Sequence, residues 1–519
     1  MKKINVVRTF SFMFAAVMLT KVLGLLRNII FASLYGSSPE AIAFLTAQRL
    51  PLVLFDISLG AAVSSAFIPI FTKCIEQEGS KKAMRLTNSF TNLVILISSI
   101  LTIFGIIFSP FLVRLLAMGL EGETFNLAVK YIRILFPMII FTAITFVFVG
   151  VLQSLNQFKI PAVVSLVSSA ILIIYLSIFN KSFGMNGYII IMLIAWSSQV
   201  IIQLPSMVKS GYRFLPEINF SDGKIKQIGL LMIPILFSSW EQPINSIINM
   251  SLASFIDGGK AVPALEYANG FYLIVAGGFT MAMANLIFPS LSRTSILEDK
   301  TQFKNTIRKA LKATIYFIFP LMIGFIILAY DIITMVYQRG NFTNADTYRT
   351  GTALLFYCVG MIGFGIQEIC KKAYYSSNKA GIPMKIAVVT ITINIILSLI
   401  LSRVMGIGGI ALAASISATI GGITQLVILN KIHKGIITSN FMKDIFKIII
   451  ISVIMGVVIY ILKIFIGNIN IASVAISKIV VIGSCGGIGM LIYFIITAIF
   501  KVEEAVIGLS MIKTKLKFR

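Results

Sequence analysis

Run after run of this chain carries twenty or so residues with almost no charge, and that pattern leaves few folds open. The runs fall near 10–34, 42–71, 90–116, 129–152, 161–179, 188–204, 228–255, 264–291, 311–330, 351–374, 383–402, 409–429, 446–466 and 479–500. A bilayer's hydrocarbon core needs about 20 apolar residues per helical crossing. No water is present there to bond a free N–H or C=O, so each crossing must close its own hydrogen bonds as a helix. Composition agrees: 58% of residues are hydrophobic, 12% are charged and the mean hydropathy is +0.96. A soluble domain carries about 25% charged residues. The fold class expected is an all-α polytopic membrane protein with about fourteen transmembrane helices.

The charge balance is +25, from 44 Lys and Arg against 19 Asp and Glu. In a soluble protein that excess would point to nucleic acid. Here the basic residues fall mostly in the loops, and roughly three quarters lie on one side of the expected spans, the signature of cytoplasmic loops. No nucleic-acid partner is therefore expected. The alternation places both termini in the cytoplasm. Lys21 and Arg27 interrupt the first apolar run and no small-residue cleavage site follows it, so it reads as a retained span and not as a signal peptide. The four cysteines (Cys74, Cys358, Cys370 and Cys485) have no paired spacing, and His433 is the single histidine. A zinc site or a histidine-based catalytic triad does not fit this inventory.

The chain also repeats itself. Ser154-Leu155-Asn156-Gln157-Phe158-Lys159-Ile160-Pro161 returns as Ser376-Ser377-Asn378-Lys379-Ala380-Gly381-Ile382-Pro383 at an offset of about 222 residues. The same offset pairs Gly184 with Gly406, Gly187 with Gly409, Gln203 with Gln425 and Lys209 with Lys431. Six spans repeating as six spans keep one orientation, so the copies should be related by an axis along the membrane normal. The expected division is an N-lobe over 1–210, a C-lobe over 211–434, two extra spans over 435–500 and a basic tail over 501–519, lying on the anionic inner leaflet.

Three cations sit where lipid tails should be: Lys21 and Arg27 in the first span and Arg49 in the second. A charge at mid-bilayer costs roughly 2.5–3.5 kcal/mol on insertion scales, so it should face a watery cavity or a partner. At about 100° per residue, Lys21, Gly24, Arg27 and Asn28 share one helix face about 120° wide. Asp56 lies on the face of Arg49. Arg offers a planar fork of donors and Lys a point charge, and both suit a diphosphate. The plainer alternatives are snorkelling side chains, or an Arg49–Asp56 ion pair. In the seventh span Pro243 removes a backbone bond beside Glu241, and freed carbonyls with a carboxylate are the usual make-up of a coupling-cation site. Asn394 is a second candidate ligand there. Glu266, Asn269, Gln367 and Glu368 are further polar residues within spans, with Asn269 counted among the cavity polar groups. Thr343 or Asp346 should cap the tenth span.

Taken in order, these segments resemble the MurJ/MviN lipid II flippases of the MOP exporter superfamily. Thr20-Lys21-Val22-Leu23-Gly24-Leu25-Leu26-Arg27 is similar to that family's Ser-Arg-x-Leu-Gly-x-x-Arg. Ala66-Phe67-Ile68-Pro69, Phe288-Pro289-Ser290-Leu291-Ser292, Arg339-Gly340-Asn341-Phe342-Thr343 and the stretch from Ala373-Tyr374-Tyr375 to Ile382-Pro383 also fit. The resemblance implies alternating-access transport of a polyprenyl-diphosphate-linked peptidoglycan precursor across the bacterial cytoplasmic membrane. It implies that Lys21 and Arg27 hold the diphosphate, with Arg49 alongside, and that spans 13 and 14 form a groove for the lipid tail. It further implies membrane lipids and the cell-wall synthesis machinery as partners, and no cofactor beyond a coupling Na+ or H+ or the membrane potential. Some positions depart from the family pattern: Ile42 replaces an acidic residue, Phe55-Asp56 a basic pair, and Gly270 an arginine after Tyr267-Ala268-Asn269.

Other readings remain open at this level. A flippase for another lipid-linked oligosaccharide would share the same cations. A multidrug exporter of the same superfamily should have an acidic cavity instead. A membrane glycosyl- or phosphotransferase would need clustered Asp, Glu or His at a membrane face, and the acidic loop residues form no such cluster. The chain is therefore expected not to be an enzyme.

Overall fold

The computed structural model describes residues 6–52, 63–217, 219, 222–239, 241–295, 297, 299–377, 379–466 and 474–506. Among them the regular elements are all helical. In chain order they are α1 Val6–Tyr35, α2 Pro39–Arg49, α3 Ile68–Glu78, α4 Ser80–Ile107, α5 Ser109–Leu116, α6 Gly122–Leu135 and α7 Met138–Ser154. Then follow α8 Lys159–Ile174, α9 Asn180–Lys209, α10 Gly223–Ser239, α11 Glu241–Ala253, α12 Ala261–Tyr272 and α13 Gly278–Thr294. The series ends with α14 Thr301–Tyr337, α15 Asn344–Val359, α16 Met361–Ser376, α17 Gly381–Met405, α18 Ile407–Ile432, α19 Ser439–Ile466 and α20 Val474–Ile499.

Ten stretches of the described residues are helical, long and apolar enough to cross a membrane, or eleven if α15 and α16, bent by 48°, make one crossing. One of the ten, Lys159–Lys209, is 51 residues long. At 1.5 Å per residue that is far more than one bilayer thickness, and the segment folds back so that α8 packs along α9. The expected spans near 42–71 and 228–255 run through residues 53–62 and 240, outside the described residues.

Glycine sets the reversal points. Gly184 has φ 55° and ψ −152°, between α8 and the body of α9. Gly406 has φ 55° and ψ −129°, between α17 and α18. Positive φ is costly for residues with a Cβ and free for glycine. Three residues on, a Cβ at Gly187 would strike the Tyr175 hydroxyl, and one at Gly409 would strike the Leu401 carbonyl. These are the same pairs that the sequence offset aligns. Gln203 and Gln425, another such pair, are both fully buried.

The chain packs as two compact units, residues 1–263 and 264–519. In the first, α4 lies against α7 around Phe67, Phe71, Phe90, Phe148 and Tyr212, with Phe67 and Phe90 stacked at 4.8 Å. Asn88 and Asn92 of α4 grip the segment that follows α9. Both side-chain amides donate to the Leu215 carbonyl, at 2.6 and 2.5 Å, and Asn92 also donates to that of Glu217 at 3.0 Å. In return the Leu215 N–H donates to Asn88 Oδ1 at 3.0 Å. Below this clamp Lys224 meets Glu78 at 2.5 Å, and its hydrogen bond holds the Glu78 carboxyl below the usual carboxylate range.

In the second unit α14 is held at both ends. Lys312 Nζ contacts Asp444 at 2.7 Å and Glu503 at 2.6 Å, with Glu504 at 3.8 Å. Asp331 is contacted by Lys463 at 2.7 Å and Lys478 at 2.6 Å. The Lys312 and Asp331 positions lie ~28 Å apart along the helix at 1.5 Å per residue. That is close to the ~30 Å hydrocarbon thickness, so each cluster sits at one edge of the apolar slab. α19 and α20 are thereby tied to α14 by charge as well as by packing. The first residues of the basic tail join this arrangement: Val502 and Ala505 are buried. The expected cap is present too, with the Thr343 hydroxyl accepting from the Asp346 N–H and Asp346 accepting in return from the Thr343 N–H.

Removing Lys312 strips three carboxylates of their shared cation. Breaking a buried pair typically costs ~3–5 kcal/mol, and the partial exposure of these carboxylates trims that to about 2 kcal/mol. Lys312→Met should therefore lower the thermal midpoint of the detergent-purified protein by several degrees. Lys463→Met should lower it less, since Lys478 remains on Asp331. Equal midpoints for wild type and Lys312→Met would show that the cluster contributes nothing.

Candidate functional site

The first unit contains a cavity of about 380 Å³ between α1, α7, α8 and α9. α1 presents Thr20, Gly24 and Arg27 to it, spaced i, i+4, i+7 so that they form one stripe of the helix. α7 adds Thr145, Phe146 and Val149. α8 adds Ser165, Ser168 and Ser169 among others, and α9 adds Trp196 and Gln199. Arg27 is the single charged residue among the described residues that line it. The guanidinium is half-buried and donates to Asn28 Oδ1 from Nε at 3.3 Å and from Nη2 at 3.1 Å. This pairing orients the fork and leaves other N–H groups for a ligand, since a guanidinium has five. Gly24 keeps the wall open, as a Cβ there would meet nothing within 4 Å.

The polar wall is held by its own bonds. Gln199 Nε2 donates to Ser168 Oγ at 3.0 Å, and Ser168 donates to the Ser165 carbonyl at 3.2 Å. Thr20 donates to the Ala16 carbonyl at 2.9 Å. Thr145 is 5% exposed, yet its hydroxyl has no hydrogen-bond partner in the structure.

The residues singled out from the sequence are placed as follows. Arg27 and Asn28 are together. Lys21 is on the same helix, half-buried, and is not one of the residues lining this cavity. Arg49 is half-buried at the end of α2. Asp56 lies outside the described residues. Glu241 opens α11 by its backbone, but its side chain lies outside the described residues. In the second unit, Asn269 is half-buried on α12 and Asn394 is 1% exposed on α17, where it accepts from the Ser398 hydroxyl at 3.3 Å. Ile42, where an acidic residue was expected from the resemblance, packs with Ala117 and Leu120 in a small apolar cluster.

The profile of the family described as Lipid II flippase MurJ matches residues 31–479. The chain belongs to that family. It is 30% identical to the lipid II flippase MurJ of Thermosipho africanus over 445 residues, covering 86% of this chain and 88% of that one. It is 28% identical to the probable lipid II flippase MurJ of Rickettsia prowazekii, covering 92% and 94%. Among solved structures, a lipid II flippase MurJ in an inward closed conformation superposes with a TM-score of 0.79 at 28% identity, covering 94% of this chain and 98% of that one. An inward-facing multidrug resistance transporter of the MATE family and MOP superfamily superposes at 0.68 with 14% identity, which establishes a shared fold. The chain is thus a multi-pass membrane protein of a transporter family, and the MurJ resemblance read from the sequence holds.

Sequence reasoning found Arg27 in this MurJ-family cavity but missed Thr145, Ser165, Ser168, Ser169, Trp196 and Gln199. A faint signal was there: Ser165, Ser168 and Ser169 at i, i+3, i+4 in an otherwise apolar run, and Gln199 within another. Serine and threonine hydroxyls ordinarily bond a carbonyl in their own helix, so they read as neutral in a span.

All four cysteines are buried, whereas Ser165 is exposed on the cavity wall. Ser165→Cys should therefore react with a small charged thiol reagent in the folded protein while the parent chain stays unmodified. No labelling of the variant, under conditions in which the unfolded variant reacts, would show that the cavity is closed to solvent.

Proposed function

We propose that this chain moves lipid II, a polyprenyl diphosphate carrying a disaccharide-peptide, from the inner to the outer leaflet of the bacterial cytoplasmic membrane. The observation that carries the reading is the Arg27 guanidinium on the wall of a cavity inside an apolar helical unit. A cation in that position is expensive unless it serves an anion or a partner, and its planar fork matches phosphate oxygens. Lys21 and Arg49 supply further positive charge along the same route. Among the described residues that line the cavity none is acidic, which favours an anionic lipid over the cationic drugs of a multidrug exporter.

The transport is by alternating access between two lobes in a parallel repeat, with both termini cytoplasmic as the loop charges require. No covalent chemistry is involved: the protein is a transporter and not an enzyme. The groove of α19 and α20 accommodates the lipid tail, and the cell-wall synthesis machinery receives the product. The driving force comes from a coupling cation or the membrane potential, with Glu241 and Asn394 as the residues for a cation.

Two tests follow. In cells depleted of their own lipid II flippase, the wild-type chain should restore growth. The Lys21→Ala/Arg27→Ala double variant should fail to do so while inserting at normal levels, and growth at the wild-type rate from that variant would end the cavity-cation reading. For coupling, Glu241→Gln in proteoliposomes should keep basal flipping but lose most of its acceleration by an imposed Na+ or H+ gradient. An unaltered gradient response would reduce Glu241 to a structural residue.

A further inference from the structure

Arg27 accounts for a phosphate, but it does not account for the rest of the cavity wall. A diphosphate needs cations and N–H donors. The remaining polar wall is neutral: the hydroxyls of Thr145, Ser168 and Ser169 and the amide of Gln199, with the indole of Trp196 beside them. Hydroxyls and amides both donate and accept, so they suit a partner whose own groups do the same. An indole supplies a flat apolar surface with a donor at its edge. Neutral two-way hydrogen bonding beside an aromatic surface is the chemistry that recognises a sugar ring.

A separate observation points to a ligand. The Thr145 hydroxyl is buried, lines the cavity and has no hydrogen-bond partner. Leaving such a group unmade costs about 1–3 kcal/mol. Thr20 and Ser154 return their hydroxyls to the carbonyl four residues back, at 2.9 and 2.8 Å; of the buried threonine hydroxyls that lack a partner among the described residues, Thr145 is the one on this cavity wall. Gln203, whose amide approaches the Thr145 carbonyl at 3.5 Å, likewise has a buried Oε1 without a partner. The cavity volume of about 380 Å³ lies at the small end of the ~300–1,000 Å³ range of ligand pockets. It has room for one ring and not for a disaccharide bearing a peptide.

We propose that this cavity is a sugar subsite. It takes the ring joined directly to the diphosphate, with Arg27 holding the adjoining phosphate and Thr145, Ser169, Gln199 and Trp196 reading the ring. The assignment rests on the lipid II reading and adds to it a site of discrimination: the sugar-bearing lipid is told from the bare polyprenyl diphosphate inside the first unit.

The chain has two tryptophans, Trp196 and Trp240, so Trp240→Phe leaves Trp196 as the sole indole reporter. The full-length variant in detergent is titrated with lipid II and, separately, with undecaprenyl diphosphate. Lipid II should change the Trp196 emission saturably, and the sugarless lipid should not. In a second measurement, competition binding on chains that keep both tryptophans gives the affinity ratio of lipid II to undecaprenyl diphosphate. Thr145→Val and Ser169→Ala should each lower that ratio by about tenfold. Equal emission changes with both lipids, or a ratio unmoved by both substitutions, would overturn the subsite while leaving the flippase reading in place. Failure of the wild-type chain to bind either lipid would overturn both.

Discussion

Everything in this structure depends on one constraint: inside a bilayer the backbone must close its own hydrogen bonds, and any charge must have company. The first half of that constraint makes the chain helical and confines its reversals to places such as Gly184 and Gly406, where positive φ is free. The second half sorts the charges near the apolar slab. Lys312 and Asp331 have partners of opposite sign at the two ends of α14 and serve structure. Arg27 donates to the neutral Asn28 and lines a cavity. The same physical rule thus separates charges that brace the fold from one that lines a cavity.

Which parts of this were legible in the sequence follows from the distances involved. Helical spans and the Thr343–Asp346 cap depend on residues close in the chain and could be read, whereas Gly184 and Gly406 stood out only as a repeated pair and not as turns. Arg27 could be read because a cation in an apolar run is conspicuous. The α14 clusters could not. Their partners are 191 residues away for Lys312–Glu503 and 147 for Asp331–Lys478, and each residue looked like an ordinary loop charge. The cavity wall was hidden for another reason. A serine or threonine in a span looks neutral because its hydroxyl can bond its own helix, so the sequence does not mark which hydroxyl fails to do so. Thr145 is one of several such hydroxyls among the described residues, and only the fold shows that it lines the cavity.

The family membership and the geometry support the functional account in different ways. Membership comes from similarity along most of the chain, including the T. africanus relative at 30% identity, and it supplies the class of transport. The geometry supplies the part that similarity does not: an arginine oriented by Asn28, beside a wall whose remaining polar groups are uncharged. The structural likeness to a MATE transporter at 14% identity shows how far one fold can be reused, so discrimination among cargoes must reside in side chains such as these and not in the fold itself.

The central claim is that this protein carries lipid II across a bilayer. The most direct measurement reconstitutes the purified chain into vesicles holding labelled lipid II in both leaflets and follows how much of the label an impermeant external reagent reaches over time. The account predicts that vesicles with the protein expose nearly all of the lipid within minutes, while protein-free vesicles stop at the outer-leaflet half. If vesicles with and without the protein both stop at that half, under an imposed ion gradient as well as without one, the account is contradicted.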